Sequence, residues 1–544
     1  MFLAERATIM HMKRYLAVML TLTLGGLTGR AVDAAAGKEN GDLIARIHFV
    51  GAAQIASAPN AAKWNEIRAL PESAEVWRDV IQKLGTAPFR MMNRNSPPRK
   101  NDEAALISPL MEDILMSESY LEAGGASNAW PEVALAVKLN SARAKVWQNN
   151  LAKVLKDWTD ISVQDIQVAG FRGWELKKHH DPNLFRFVLA GDWVVFGWGQ
   201  DQLKLHTAIL EKIKANKRPV AEAEKRWLDA WINWPEFEAY HPTALPFKLP
   251  KMELDVEGRG EFVRPELKLE FADPLGLKLE PWRIPTNMIG SPLASLTLMR
   301  GFGPLLSAIP IISNLNAEPF PNQIAIWALP QIPFMTCAAL PVNDAKNYLM
   351  RIAPGLISLV NSNIAAHQGI GKAQLTTNMS VLLGELPFIT PYLRATNGDD
   401  GDFLLAGILA MPPRAQPFPW DSLFEVIAPT NVVYYDRELN GERLYQWRSL
   451  SEIYPLSMKR TLPRLDTPVQ RWLATIKTNL ADCRTVGTLT APNELTVVRN
   501  APIGLTGVEL TYLAFWVDGP EFPFPGEPAK AAANRTGNAK PEQK

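Results

Sequence analysis

The chain has 544 residues, 47% hydrophobic and 21% charged, with a net charge of +1. That length can bury large cores and suits two or three domains rather than one. The near-neutral balance, and the lack of any Lys/Arg cluster of 5–8 residues, argue against a nucleic-acid-binding surface.

The N-terminus reads as an address. Lys13 and Arg14 form a basic region, Tyr15 to Leu27 is apolar, and Ala34-Ala35-Ala36 offers a small-x-small cleavage pattern, so a signal peptide over 1–36 and a mature start at Gly37 are expected. Met10 and Met12 stand just before the basic pair as alternative starts. The apolar run is short of a bilayer span, and no later segment reads as transmembrane, because Arg300 and three prolines interrupt Ile289 to Ile312. Both cysteines, Cys337 and Cys483, lie far from the cleavage site, which excludes a lipid anchor there.

Leu43 to Val50 reads as the first mature strand, followed by helices around 60–70 and 73–84 and a Pro-rich polar loop from Arg90 to Asp102. Val133 to Leu139 is a strand, and Asn140 or Ser141 opens a helix whose Trp147, Leu151, Val154 and Trp158 form one stripe. Val168–Lys177, Leu184–Ala190 and Trp193–Trp198 read as a three-strand meander. Gly191-Asp192 makes the second turn, able to take the positive φ angles of a primed hairpin. A helix capped by Asp201 then buries Leu203, His206, Leu210 and Ile213.

The second half echoes the first at an offset of about two hundred residues. VALAVKLN (133–140) leading into a helix has its counterpart in FMTCAALP (334–341). FRFVLAGDWVVFG corresponds to the strands Pro391–Thr396 and Phe403–Ala410, and LIARIHFV to SLTLMR at 295–300. Between the halves, 251–285 is a β-rich connecting segment with apolar residues alternating along Met252 to Phe271. Trp420–Ile427 is helical, NVVYYD (431–436) is a strand and Gly441–Leu450 a helix. A C-terminal helix–hairpin–helix unit spans 461–517; there Thr506 to Glu509 form a capping box with Leu505 and Leu510 as its staple, and a polar tail follows over 518–544. The fold class expected is α+β: antiparallel sheets with helices on one face, in two related modules (37–250 and 286–460) plus the C-terminal unit.

Chemistry is harder to read. His179-His180-Asp181 offers two imidazoles and a carboxylate, but adjacent strand residues point to opposite faces, so a polar turn is the better reading and no metal is expected. Asn397 to Asp402 lacks the calcium-loop spacing, and His367 to Lys372 lacks the glycine and hydroxyl of a phosphate loop. No HExxH, GxSxG or CxxC occurs, and no cofactor is expected. His48 and His206 read as core residues. Trp193 and Trp198, five apart on one strand, point to opposite faces; with His179 and His180 they are the candidate ligand contacts.

The leader, the tandem α+β pattern, NVVYYDREL (431–439) and IGLTGVELTYLAFW (503–516) together resemble uncharacterised exported bacterial proteins built of repeated sheet-and-helix modules. That resemblance implies a periplasmic or extracellular protein and no catalytic residues. The expectation is a non-catalytic binding or scaffolding protein of the envelope. An envelope hydrolase on glycan or ester substrates and a carrier of apolar ligands are the alternatives, and the partner, an envelope component or an apolar or glycan ligand, is not specified.

Overall fold

The computed structural model describes residues 43–520 and 522–523, apart from 93–100, 125–130, 178–182, 201, 221–225, 241–247, 305–314, 316, 331–334, 367–368, 387–388, 399–400, 411–415 and 458–464. The leader, His179, His180, Asp181, Asp201 and nearly all of the polar tail therefore lie outside the described residues. Helices and antiparallel strands are mixed throughout the described residues. The chain divides into two compact units: unit 1 takes in 71–232 and the strand at 43–49, and unit 2 takes in 59–70 and 233–511.

Unit 1 contains β1 (Leu43–Phe49), β2 (Ser119–Gly124), β3 (Glu132–Lys138), β4 (Gln164–Val168), β5 (Phe171–Lys177), β6 (Asn183–Ala190), β7 (Trp193–Gln200) and β8 (Arg226–Asn233), with helices α1 (Pro71–Met92), α2 (Asn101–Met116), α3 (Ser141–Thr159) and α4 (Lys204–Asn216). Its strands pair in the order β8-β1-β2-β3-β7-β6-β5-β4, every pair antiparallel. The meander has four strands, not three. Ala169 and Gly170, with φ of 53° and 89°, turn the chain inside what reads as one strand, and Val168 pairs with Phe171. An alanine in a position that favours Gly or Asn is why the turn escapes the sequence.

Helices lie on both faces of this sheet, which corrects the one-face expectation. α3 packs Trp147 and Leu155 against Val137, Trp174, Phe187 and Val194, while α4 packs Ile209, Leu210 and Ile213 against Ala136, Val188 and Val195. The reason is visible in β7: Trp193, Val194 and Val195 are all buried, and consecutive apolar residues on a strand need cover on both sides. Asn140 caps α3 by accepting from the Arg143 N–H, and Asp113 of α2 receives both the Arg143 guanidinium and the Trp147 indole N–H, tying α2 to α3.

Unit 2 contains β9 (Lys251–Gly258), β10 (Val263–Glu270), β11 (Gly290–Ser291), β12 (Ser295–Arg300), β13 (Gln323–Ala328), β14 (Thr336–Pro341), β15 (Lys372–Leu375), β16 (Ser380–Gly384), β17 (Tyr392–Gly398), β18 (Gly401–Gly407), β19 (Gln416–Pro417), β20 (Val432–Leu439), β21 (Asp482–Ala491) and β22 (Glu494–Asn500). Its helices are α5 (Ala345–Ala366), α6 (Trp420–Ile427), α7 (Asn440–Ser457), α8 (Pro468–Ile476) and the start of α9 (Gly507–Asp518). Strands β20-β12-β13-β14-β18-β17-β16-β15 pair in sequence, and β21, β22, β10 and β9 extend the ladder beyond β20.

The first eight of these strands follow the same connectivity as the eight of unit 1. In each unit the third strand leads into a helix on one face (α3, α5), and a helix on the other face (α4, α6) separates the last two strands. Against the third strand of each unit, Trp193-Val194-Val195-Phe196-Gly197 holds the places of Phe403-Leu404-Leu405-Ala406-Gly407, but β17 and β18 pair for two residues more before their turn. Both closing glycines make room for a ring: a β-carbon would lie 2.8 Å from the His206 ring at Gly197 and 2.6 Å from the Tyr392 hydroxyl at Gly407.

Cys337 and Cys483 are free and buried, and burial pushes the Cys337 thiol up to about 11. The capping box forms as expected: Thr506 N–H donates to Glu509 at 2.9 Å, and Glu509 N–H to Thr506 Oγ1 at 3.3 Å. Thr506→Ala is expected to cost unit 2 about 1 kcal/mol, read from its denaturation midpoint.

Candidate functional site

Of the four residues singled out from the sequence, two are described. Trp193 is 3% exposed in the α4-side core, and its indole N–H donates to the Lys217 carbonyl at 3.2 Å. Trp198, on the other face, is half-buried and stacks on Phe185 with ring centroids 6.2 Å apart. The strand separates them as its alternation requires. His206 is fully buried, and burial, followed by the Arg186 charge, holds its imidazole down at about 4, so it is a neutral core residue.

The concentration of chemistry lies elsewhere in unit 1, on the α4 side of β1, β2 and β8. Alternation puts Arg46 and His48 of β1, Tyr120 and Glu122 of β2, and Asp229 of β8 on one face, where His48 is paired across the ladders with Tyr120 on one side and Asp229 on the other. Glu118, just before β2, completes the floor. His48, Glu118, Tyr120, Glu122 and Asp229 are all buried. Around them stand longer cationic side chains: Lys138 at the end of β3, Lys212 of α4, Arg218 just beyond α4 and Arg226 at the start of β8.

Glu118 is the hub. His48 Nε2 lies 3.1 Å from Glu118 Oε1, Arg218 Nη2 3.1 Å from the same oxygen, and Lys138 Nζ 3.3 Å from Oε2. Burial pushes this carboxyl up, yet His48, Lys138 and Arg218 together hold it down at about 2. Tyr120 donates its hydroxyl to Glu122 at 2.5 Å, and Lys212 meets the same oxygen at 2.9 Å. Burial and the Glu122 charge raise the Tyr120 phenol well above its ordinary value. Arg226 lies 3.3 Å from Asp229, whose carboxyl is raised by burial against the pull of Arg226, His48 and Arg46. Asp229 Oδ1 and Arg46 Nε are buried with no hydrogen-bond partner among the described residues. Aromatic rings seat two of the cations: Lys138 Nζ is 6.0 Å from the Trp193 ring centre, and Lys212 Nζ 5.7 Å from that of Tyr120.

Unit 2 supplies a comparison inside the same chain. In unit 1 the rung reads Asp229, His48, Tyr120, Ala136, Val195. The matching rung of unit 2, also under its helix, reads Tyr435, Leu298, Ala325, Ala339, Leu405. Three polar residues stand in unit 1 where unit 2 has Tyr, Leu and Ala.

A carboxyl at about 2 stays ionised at neutral pH and is poorly matched to general acid–base work, and the Tyr120 hydroxyl is committed to Glu122. Among the described residues, Arg46, Lys138, Lys212, Arg218 and Arg226 stand around the carboxylates of Glu118, Glu122 and Asp229. Among the described residues no group of three or more His, Cys, Asp or Glu is placed to hold a metal ion, and no helix is long and apolar enough to cross a membrane.

The sequence reading missed this cluster and placed His48 in apolar surroundings. Its only sequence signal is charge in one phase of three strands, which ordinarily marks a solvent face. No protein-family model matches the chain, and comparison with curated proteins and with solved structures returned no match.

Proposed function

We propose that the chain is an exported, non-catalytic binding protein of the bacterial envelope whose ligand site is the polar cluster of unit 1. We propose further that its two units descend from one ancestral sheet-and-helix module, unit 2 keeping the apolar form of the face that unit 1 adapted. The observation that carries the reading is the rung comparison. Unit 2 has Tyr, Leu and Ala at these positions, so burying His48 and Asp229, which costs desolvation, has a reason other than folding. Export rests on the leader pattern at 13–36.

Moving the unit 2 rung into unit 1, as His48→Leu, Tyr120→Ala and Asp229→Tyr, keeps the total volume nearly constant. The variant is expected to fold with a cooperative transition. Native mass spectrometry of wild-type protein recovered from its host is expected to show a small-molecule adduct, and the variant should lose it, because Glu118, released from His48, closes on Lys138 and Arg218. A variant that cannot fold assigns the rung to stability alone, and one that keeps the adduct places the ligand elsewhere. Robust turnover in a broad hydrolase screen would overturn the non-catalytic reading.

A further inference from the structure

We infer that Asn361 of α5 guards the open edge of the unit 2 sheet, its side-chain amide standing where a second copy of the chain would otherwise add a strand to β15. β15 ends the ladder β20-β12-β13-β14-β18-β17-β16-β15, and among the described residues its strand partner is β16 alone. An edge strand presents unpaired N–H and C=O groups, which template pairing with another chain. At Ala373 those two groups are already taken. The Ala373 N–H donates to Asn361 Oδ1 at 2.8 Å, and Asn361 Nδ2 donates to the Ala373 carbonyl at 3.0 Å, the same exchange of bonds that a residue of a neighbouring strand would make.

Helix propensity does not explain this residue. Asn is a poorer helix former than Ala or Leu, yet it stands inside α5, beyond Tyr348, Leu349, Ile352 and Ala353, which pack the helix on the sheet. The surroundings of Ala373 explain the need for a guard. By alternation Gly371 and Leu375 direct their backbone groups the same way as Ala373; Leu375 is 40% exposed, and Ile370 and Met379 beside the strand are 50% and 37% exposed. The edge is also able to pair with itself. An antiparallel register centred on Ala373 sets Lys372 against Gln374 and Gly371 against Leu375, so no like charges meet. The matching edge of unit 1 is blunted differently, because Gln164, Asp165 and Gln167 of β4 are exposed and make that edge polar and charged.

Light scattering on the full chain after size exclusion, over a wide range of concentration, tests the inference. Wild type and Leu375→Lys are expected to share one mass, and Asn361→Ala to rise toward twice that mass as concentration increases. Adding Leu375→Lys to Asn361→Ala places a charge on the edge and should restore the wild-type mass. Asn361→Ser, too short to bridge both backbone groups, should associate in the same way and stands in if the alanine variant does not fold. The inference is overturned if the folded Asn361 variants keep the wild-type mass, if their association survives Leu375→Lys, or if Leu375→Lys lowers the mass of the wild type. Failure of both Asn361 variants to fold overturns it too, by assigning the residue to stability alone. The outcome is independent of the binding reading, whose residues lie in unit 1.

Discussion

Replacing Glu118 with glutamine is expected to destabilise unit 1 by about 2–3 kcal/mol at neutral pH. The buried carboxylate balances His48, Lys138 and Arg218 at 3.1–3.3 Å, and the amide would leave those donors facing a neutral group. The cost falls below the ~3–5 kcal/mol of breaking a fully buried ion pair, because Lys138 and Arg218 are partly exposed and can turn back to water. The pH dependence identifies the cause. Glu118 is held at about 2, below its ordinary 4.5, so its contribution is present above about pH 4.5 and is lost as pH falls toward 2. Chemical denaturation of the full chain at pH 7 and pH 3 measures both effects. Glu118→Gln should lower the unit 1 midpoint at pH 7 and lose part of the acid sensitivity of the wild type. An unchanged midpoint would mean that the hub contributes nothing net.

Glu438→Gln in unit 2 should act in the opposite sense and stabilise that unit by about 3 kcal/mol at pH 8. Glu438 is 5% exposed, and burial, with the Asp436 charge behind it, pushes its carboxyl up to about 7. Its partners are the Gly507 N–H that begins α9, at 2.5 Å, and the Arg443 guanidinium at 3.9 Å. Asp436 on the same face accepts from Thr297 at 2.6 Å and is itself raised by burial. A carboxyl raised from 4.5 to about 7 takes up its proton more readily in the folded state. The stability it contributes is therefore complete below about pH 4.5 and is lost as pH rises through 7. Glutamine keeps an acceptor for Gly507 and removes the buried charge. Thermal melts at pH 5 and pH 8 should show the variant ahead at pH 8 and close to wild type at pH 5. Destabilisation at both values would mean that the charge-assisted bond from Gly507 and the ion pair with Arg443 outweigh desolvation.

Local chemistry made much of the fold legible in the sequence. The Gly191-Asp192 turn, the Asn140 cap, the Thr506–Glu509 box and helix α6, whose observed span of Trp420–Ile427 is the expected one, each depend on residues within a few positions of one another. What stayed hidden depends on cover and distance. Whether Arg46, His48, Tyr120 and Glu122 face water or a helix is decided by α4, more than eighty residues further along the chain. Ala169 hides its turn because its side chain does not announce a positive φ. The polar cluster itself draws on five separated segments, so no local spacing could have assembled it.

Glu132, at the start of β3, has a consequence for how the lysine rim meets its surroundings. Its carboxyl accepts the His206 N–H at 2.8 Å, and burial raises it against the opposing pull of the His206, Leu205 and Lys204 amides. Leu203, with φ of 45°, offers no side-chain cap, so the first turn of α4 is satisfied by a residue more than seventy positions earlier. The helix that carries Lys212 and leads into Arg218 is thereby pinned to the sheet at its first turn. An incoming molecule would find the rim already in place, with much of the entropy of ordering it spent in folding rather than in association. On the proposed binding reading, Glu132→Ala would weaken capture without removing any group of the cluster itself.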